Sequence, residues 1–206
     1  SKIDRIRVGL AGGLSSFPFY DGRGLLLTGE AYDGTASAPQ DNVTFVSAYN
    51  TQTLWDMMHN DTNSALTSGL TSAQKADAQV VYLSIPLLSQ GSSQFQLGSE
   101  FLRSKAGADI TSSSGYNAGD LITFIDFTQA THNWGVAEPS SSSSATNATP
   151  STAEMTGAYD KFVQLMAISD SPLFSIESAD EVLARVGFHN QGGQQTPGLI
   201  LMSIDD

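Results

Sequence analysis

Cysteine is absent from the 206-residue chain, so neither disulfides nor thiolate metal sites hold it together. Basic residues are scarce: 9 Lys and Arg stand against 21 Asp and Glu, a formal net charge of −12. A surface of that sign repels nucleic-acid phosphates and anionic lipid headgroups, which argues against nucleic acid or membrane as a partner. A neutral sugar polymer would not be repelled. Long apolar runs are also missing; none reaches the ~18 residues of a helical membrane span. The opening Ser1-Lys2-Ile3-Asp4 has no signal-peptide pattern and no initiator Met, so the chain is expected to be processed, cut or part of something longer. The three histidines, His59, His132 and His189, lie far apart and read as surface or structural imidazoles rather than a metal cluster. Gly9-x-x-Gly12-Gly13 departs from the dinucleotide fingerprint and reads as a turn.

What is present points to a packed globular chain. Apolar residues make up 40%, spread along the sequence, and the length allows a real core. Residues 1–40 are punctuated by glycine and read as loop with short ordered pieces. Asn42 to Ser47 is rich in β-branched and aromatic residues and reads as a buried strand, followed by a short helix over Thr53 to His59. Thr71-x-x-Gln74 fits a capping box opening a helix. Ala73, Ala76, Val80, Leu83 and Leu87 lie on one face of that helix; Pro86 disturbs its last turn and Gly91 ends it. Gln94 to Gly98 reads as a second short strand, 106–133 as irregular, and Ser140 to Pro150 as linker. Ser151-x-x-Glu154 starts another helix, with Met155, Tyr159, Phe162, Val163 and Met166 as its apolar face. The alternation of Val182, Ala184, Val186 and Phe188 reads as a strand. A turn and a second strand over Leu199 to Ile204 follow, making a hairpin.

Several segments resemble one family in one order. Ile3 to Gly12 is similar to the approach to the seventh barrel strand of pullulanases and limit dextrinases. Val46-Ser47-Ala48-Tyr49-Asn50-Thr51-Gln52-Thr53-Leu54-Trp55-Asp56 resembles their strand-seven motif. Leu97-Gly98-Ser99-Glu100-Phe101-Leu102-Arg103-Ser104-Lys105, the most specific match, resembles the segment after strand eight. Tyr116 to Asp120 and Asn133 to Val136 continue it. Ser171 to Phe174 and Pro197 to Ile200 resemble the last barrel helix and the start of the C-terminal β-domain.

The resemblance implies an α/β fold: the C-terminal portion, about strands 7–8 and their helices, of a (β/α)8 barrel, plus the start of an antiparallel C-terminal β-domain. Residues 1–170 would be partial barrel and 171–206 the start of a β-sandwich. It implies a retaining glycoside hydrolase acting on α-1,6 branch links of pullulan, starch or limit dextrins. An α-glucan would be its substrate, and the remainder of the enzyme N-terminal to Ser1 its partner. A barrel alone needs about 250 residues, so this portion alone is expected to be inactive. Retaining glycosidases use two carboxylates roughly 5 Å apart, which in this family lie upstream of Ser1.

A third carboxylate, in a His-Asp pair on strand seven, falls at Tyr49-Asn50. Asn50 therefore stands at the third catalytic position, with Tyr49 and Asp120 as substrate-binding candidates. An amide can hydrogen-bond a sugar hydroxyl, but carries no charge to oppose an oxocarbenium-like centre. The family's Trp-Phe-Asn-Arg after Gly119-Asp120 is replaced by Leu121-Ile122-Thr123-Phe124, and Ile168-Ser169-Asp170 stands where basic residues are usual. These departures leave open a non-catalytic glucan-binding or structural relative. Trp55 and Trp134 read as core, and Glu100 and Arg103 as an internal salt bridge. No cofactor is expected; calcium is possible by resemblance, without a ligand motif. An extracellular or periplasmic setting is favoured, with a plastid as the other.

Overall fold

The computed structural model describes residues 2–48, 52–59, 69–104, 125, 127 and 150–206. The chain divides into two compact units. The first takes in Ser1–Thr44, Ile85–Gln94 and Met166–Asp206; the second takes in Phe45–Ser84 and Phe95–Leu165.

The first unit begins with a helix the sequence did not announce, α1 (Lys2–Leu10). Its buried face carries Asp4 and Arg7 beside Val8 and Leu10, so the apolar stripe that betrays a helix is interrupted by charge. The charges are tolerated because they are paired. Arg7 Nη1 donates to Asp4 Oδ1 at 2.7 Å, and both side chains are fully buried. Arg7 Nη2 donates to the Asn190 carbonyl and to Gln195 Oε1, each at 2.5 Å.

Strands β1 (Pro18–Tyr20) and β2 (Leu26–Thr28) pair antiparallel, with Phe19 opposite Leu27. Asp21 closes their turn. Its Oδ1 accepts the N–H groups of Arg23 at 2.8 Å and Leu25 at 3.1 Å, while Oδ2 accepts Arg23 Nε at 2.7 Å and the Tyr32 hydroxyl at 3.0 Å. Two 3-10 turns follow, Gly29–Tyr32 and Pro39–Asp41.

The expected buried strand over Asn42 to Ser47 is only β3 (Val43–Thr44), and it is not buried: Val43 is 51% exposed and Phe45 54%. It pairs in parallel with β4 (Ser92–Ser93), in the register Val43 with Ser92 and Thr44 with Ser93. The second strand thus falls just before Gln94 to Gly98. Gly91 stands at φ +92°, with room for no side chain, since a Cβ there would sit 2.3 Å from the Pro39 carbonyl oxygen.

The tail corrects a second expectation. Val182 and Ala184 belong to a helix, here α5 (Ala179–Arg185), not to a strand. The acidic Asp180 and Glu181 in its first turn favour the helix over the alternation. Only β5 (Val186–Phe188) is extended, and it pairs antiparallel with β6 (Met202–Ile204), so the hairpin stands in shortened form. The unit's core joins Val8, Leu14, Phe17, Phe19, Ile176, Val182, Val186 and Phe188. Gln90, fully buried, donates to the Leu173 carbonyl and accepts the Ile176 N–H.

In the second unit α2 (Leu54–His59) is short. The long helix α3 (Ser72–Leu87) opens with the expected box: Thr71 N–H donates to Gln74 Oε1 at 2.9 Å and Gln74 N–H to Thr71 Oγ1 at 3.2 Å. Pro86 lies in its last turn, and the helix ends at Leu87, before Gly91. The helix α4 (Thr152–Ser169) opens with a second box, Ser151 N–H to Glu154 Oε2 at 2.7 Å and Glu154 N–H to Ser151 Oγ at 3.2 Å. Of its expected apolar face Met155 is buried, but Tyr159, Val163 and Met166 are exposed by 39%, 47% and 46%. The unit's core gathers Trp55, Met58, Ala76, Leu102, Met155 and Ala158.

Candidate functional site

Tyr49, Asn50 and Asp120, the three site residues expected from the sequence, lie outside the described residues, as do His132 and Trp134. The flanks of Tyr49-Asn50 and the segment that ends at Ser104 are described and belong to the second unit, while 105–119, between Ser104 and Asp120, lie outside the described residues. Ser47 and Ala48 precede Tyr49; Gln52 and Thr53 follow Thr51; Arg103 and Ser104 end the segment after which Asp120 comes.

Thr53 is fully buried and caps α2, accepting the Asp56 N–H on Oγ1 at 3.1 Å. That cap fixes the chain where it leaves Thr51. Trp55 is fully buried in the core, as the sequence suggested. Asp56, 2% exposed, turns its carboxylate inward, and Oδ1 accepts the hydroxyl of Ser104. The two residues are 48 positions apart, so this one hydrogen bond joins the helix after Tyr49-Asn50 to the segment 97–104.

The second segment is itself tightly formed. A 3-10 turn spans Ser99–Phe101, flanked by Gly98 at φ +94° and Leu102 at φ +65°. Left-handed backbone at a bulky leucine is costly, and its persistence shows the surroundings over-determine it. Leu102 is fully buried, which supplies the compensation. Gln79 Nε2 of α3 donates to the Ser99 carbonyl at 2.6 Å, and Arg103 N–H donates to the Gly98 carbonyl at 3.0 Å.

Arg103 and Glu100 do not form the expected salt bridge. Glu100 Oε2 accepts the Gly98 N–H at 2.8 Å, and Arg103 Nη1 donates to the Leu97 carbonyl at 3.2 Å. Burial pushes the Arg103 guanidinium below its usual value, while the negative charges of Asp56 and Glu100 pull it back up. Its stem packs on Gly98, where a Cβ would meet Arg103 Cδ at 2.6 Å.

Asp56 and Ser104 were quoted in the sequence motifs without a role. The signal for Asp56 was a single acidic residue inside the apolar run Leu54-Trp55-x-Met57-Met58. Such a residue on the inner face of a helix is a buried carboxylate needing a donor. Among the described residues no group of three or more His, Asp or Glu could hold a metal ion. His189 instead meets Ser203 Oγ through Nε2 at 2.6 Å on the hairpin.

Comparison with known proteins gives the class first: the chain is similar to the C-terminal region of pullulanase-type alpha-1,6-glucosidases. Residues 128–206 match the family described as alpha-1,6-glucosidases, pullulanase-type, C-terminal. The pullulanase of Klebsiella aerogenes is 34% identical over 98% of this chain, and pullulanase 1, chloroplastic, of Arabidopsis thaliana is 29% identical over 98%. The crystal structure of Klebsiella pneumoniae pullulanase complexed with maltotriose superposes with a TM-score of 0.83 at 30% identity, over 98% of this chain and 20% of that one. The chain spans about a fifth of the length of the curated relatives it matches, 19% and 22% for the two named. Over nearly its whole length the chain is similar to pullulanases, and its second part matches their C-terminal family model.

Proposed function

We propose that the chain is the C-terminal portion of a retaining glycoside hydrolase that cuts α-1,6 links in pullulan, starch or limit dextrins. The residues N-terminal to Ser1 supply the rest of the barrel and the catalytic carboxylate pair. One observation carries the reading. β3 and β4 run parallel, and the chain between them holds α2 and α3. Parallel neighbours require such a crossover, and strand, helix, parallel strand is the repeating unit of a (β/α)8 barrel. In that frame β3 and β4 stand for strands seven and eight, residues 1–170 belong to the barrel, and 171–206 begin a β-sandwich. Barrel enzymes place their sites after the C-terminal ends of the strands. Tyr49-Asn50 follows β3 and Asp120 follows β4 in chain order, as such a site requires.

In this reading Tyr49 and Asp120 hold the α-glucan and Asn50 occupies the third catalytic position. The setting is extracellular or periplasmic, or a plastid in a plant. Asn50 itself favours a second reading, a glucan binder that does not cut, because an amide brings no charge to the reacting centre. The deciding experiment measures maltotriose release from pullulan by the intact protein, as wild type and as Asn50→Asp. The hydrolase reading expects Asn50→Asp to raise the rate about 100-fold, the scale of one electrostatic contact at a transition state. Maltotriose binding without hydrolysis by either form would instead establish the binder.

A further inference from the structure

Gln79, Gln96 and Ser99 of the second unit are 0%, 7% and 3% exposed. Each keeps a side-chain group that finds no hydrogen-bond partner among the described residues: Gln79 Oε1, both amide atoms of Gln96, and Ser99 Oγ. All three residues meet at one point. Gln79 Nε2 donates to the Ser99 carbonyl at 2.6 Å, and the Ser99 N–H donates to the Gln96 carbonyl at 3.0 Å. A buried polar group left unpaired is costly, and folded proteins satisfy nearly all of them with protein groups or ordered water. Such a set of atoms around one turn points to an occupant.

Their chemistry selects it. Gln79 Oε1 only accepts, the Gln96 amide offers both a donor and an acceptor, and the Ser99 hydroxyl does either. None carries a formal charge. The Glu100 carboxylate of the same segment is turned to the Gly98 N–H, and the Arg103 guanidinium, bonded to the Leu97 carbonyl, opposes a cation there. Groups this enclosed admit neither a chain segment nor a polymeric sugar. A small neutral molecule that donates and accepts fits them. Globular proteins hold about one buried water per 27 residues, typically with about three hydrogen bonds.

We propose that the second unit holds an internal water, bound by Gln79 Oε1, the Ser99 hydroxyl and the Gln96 amide. It joins helix α3 to the turn Ser99–Phe101, and so supports the left-handed backbone at Leu102 that follows. The site stands whether or not the intact protein cuts glucan.

The test is a crystal structure of the intact protein, together with amide exchange of the peptide 97–104 in wild type, Ser99→Ala and Gln96→Met. The expected structure shows a solvent oxygen within about 3.2 Å of Gln79 Oε1 and of Ser99 Oγ or the Gln96 amide. Ser99→Ala removes one partner of the water and is expected to speed exchange about fivefold, the effect of one lost hydrogen bond. Gln96→Met is expected to do the same; if it fails to fold, Ser99→Ala decides alone. Three results overturn the proposal. One is a site without solvent density. Another is a different occupant, either an ion with contacts of about 2.3–2.6 Å or protein groups from N-terminal to Ser1. The last is exchange that is unchanged or slower in Ser99→Ala, because trimming a truly unpaired group removes a penalty instead of a bond.

Discussion

The guanidinium of Arg7 and the side-chain carbonyl of Gln195 meet at 2.5 Å across 188 residues of chain. With Asp4 and the Asn190 carbonyl as further acceptors, Arg7 is the charged centre of the first unit's interior.

Removing that charge takes the guanidinium away from the buried Asp4 carboxylate. Arg7→Met is expected to destabilise the first unit by about 3–5 kcal/mol, the usual cost of breaking one side of a buried ion pair. Hydrogen exchange of the α1 amides in the intact protein reads the local opening directly. A loss below about 1 kcal/mol, the scale of a surface pair, would show that Arg7 contributes no more than an exposed one.

The acid limb of stability should depend on Asp21. Burial alone would push its carboxyl up. The hydrogen bonds from the Arg23 side chain, the Leu25 and Arg23 N–H groups and the Tyr32 hydroxyl outweigh that and hold it well below the usual range. Tyr32 moves the other way, raised first by burial and then by Asp21. A depressed carboxyl stabilises the fold above the unfolded value of about 3.9, and the contribution is lost as pH falls from there through the lower folded value. Asp21→Asn should therefore flatten the loss of stability below about pH 4. A carboxyl titrating near 3.9 in an NMR titration would contradict the network.

The 206-residue chain by itself is expected to release no maltotriose from pullulan above buffer. In the reading proposed above, two parallel strands cannot close a barrel, and Asn50 would bring an amide to the third catalytic position. Its exposed apolar side chains, Val81, Val163 and Met166 among them, predict a broad melt for the isolated chain. A sharp cooperative transition, or hydrolysis by uncontaminated protein, would contradict these expectations.

Much of this was legible in the sequence, for physical reasons that differ by element. The capping boxes at Thr71 and Ser151 were readable because the helix start is encoded by residues three apart, and both form as written. The motif around Trp55 was readable because its order matches a known family. Helix α1 was not, because its buried face is built on Asp4 and Arg7, whose acceptors include Asn190 and Gln195 at the other end of the chain. The strand expected over 182–188 failed at its first half, where alternation over four residues fits both periods and the acidic first turn decides for helix. The Asp56 to Ser104 link was hidden for the same reason as α1: a long-range hydrogen bond leaves no local pattern.

The Arg7 network also sets a timetable. The first unit is assembled from the beginning, a short middle stretch and the end of the sequence. During synthesis α1 emerges before the acceptors at Asn190 and Gln195 are made. Until they leave the ribosome, α1 presents Asp4 and Arg7 to water with no interior to enter. The unit therefore closes only once Asn190 and Gln195 have been translated. A nascent chain stalled before Asn190 should be the form most readily held by chaperones and most readily cut by proteases.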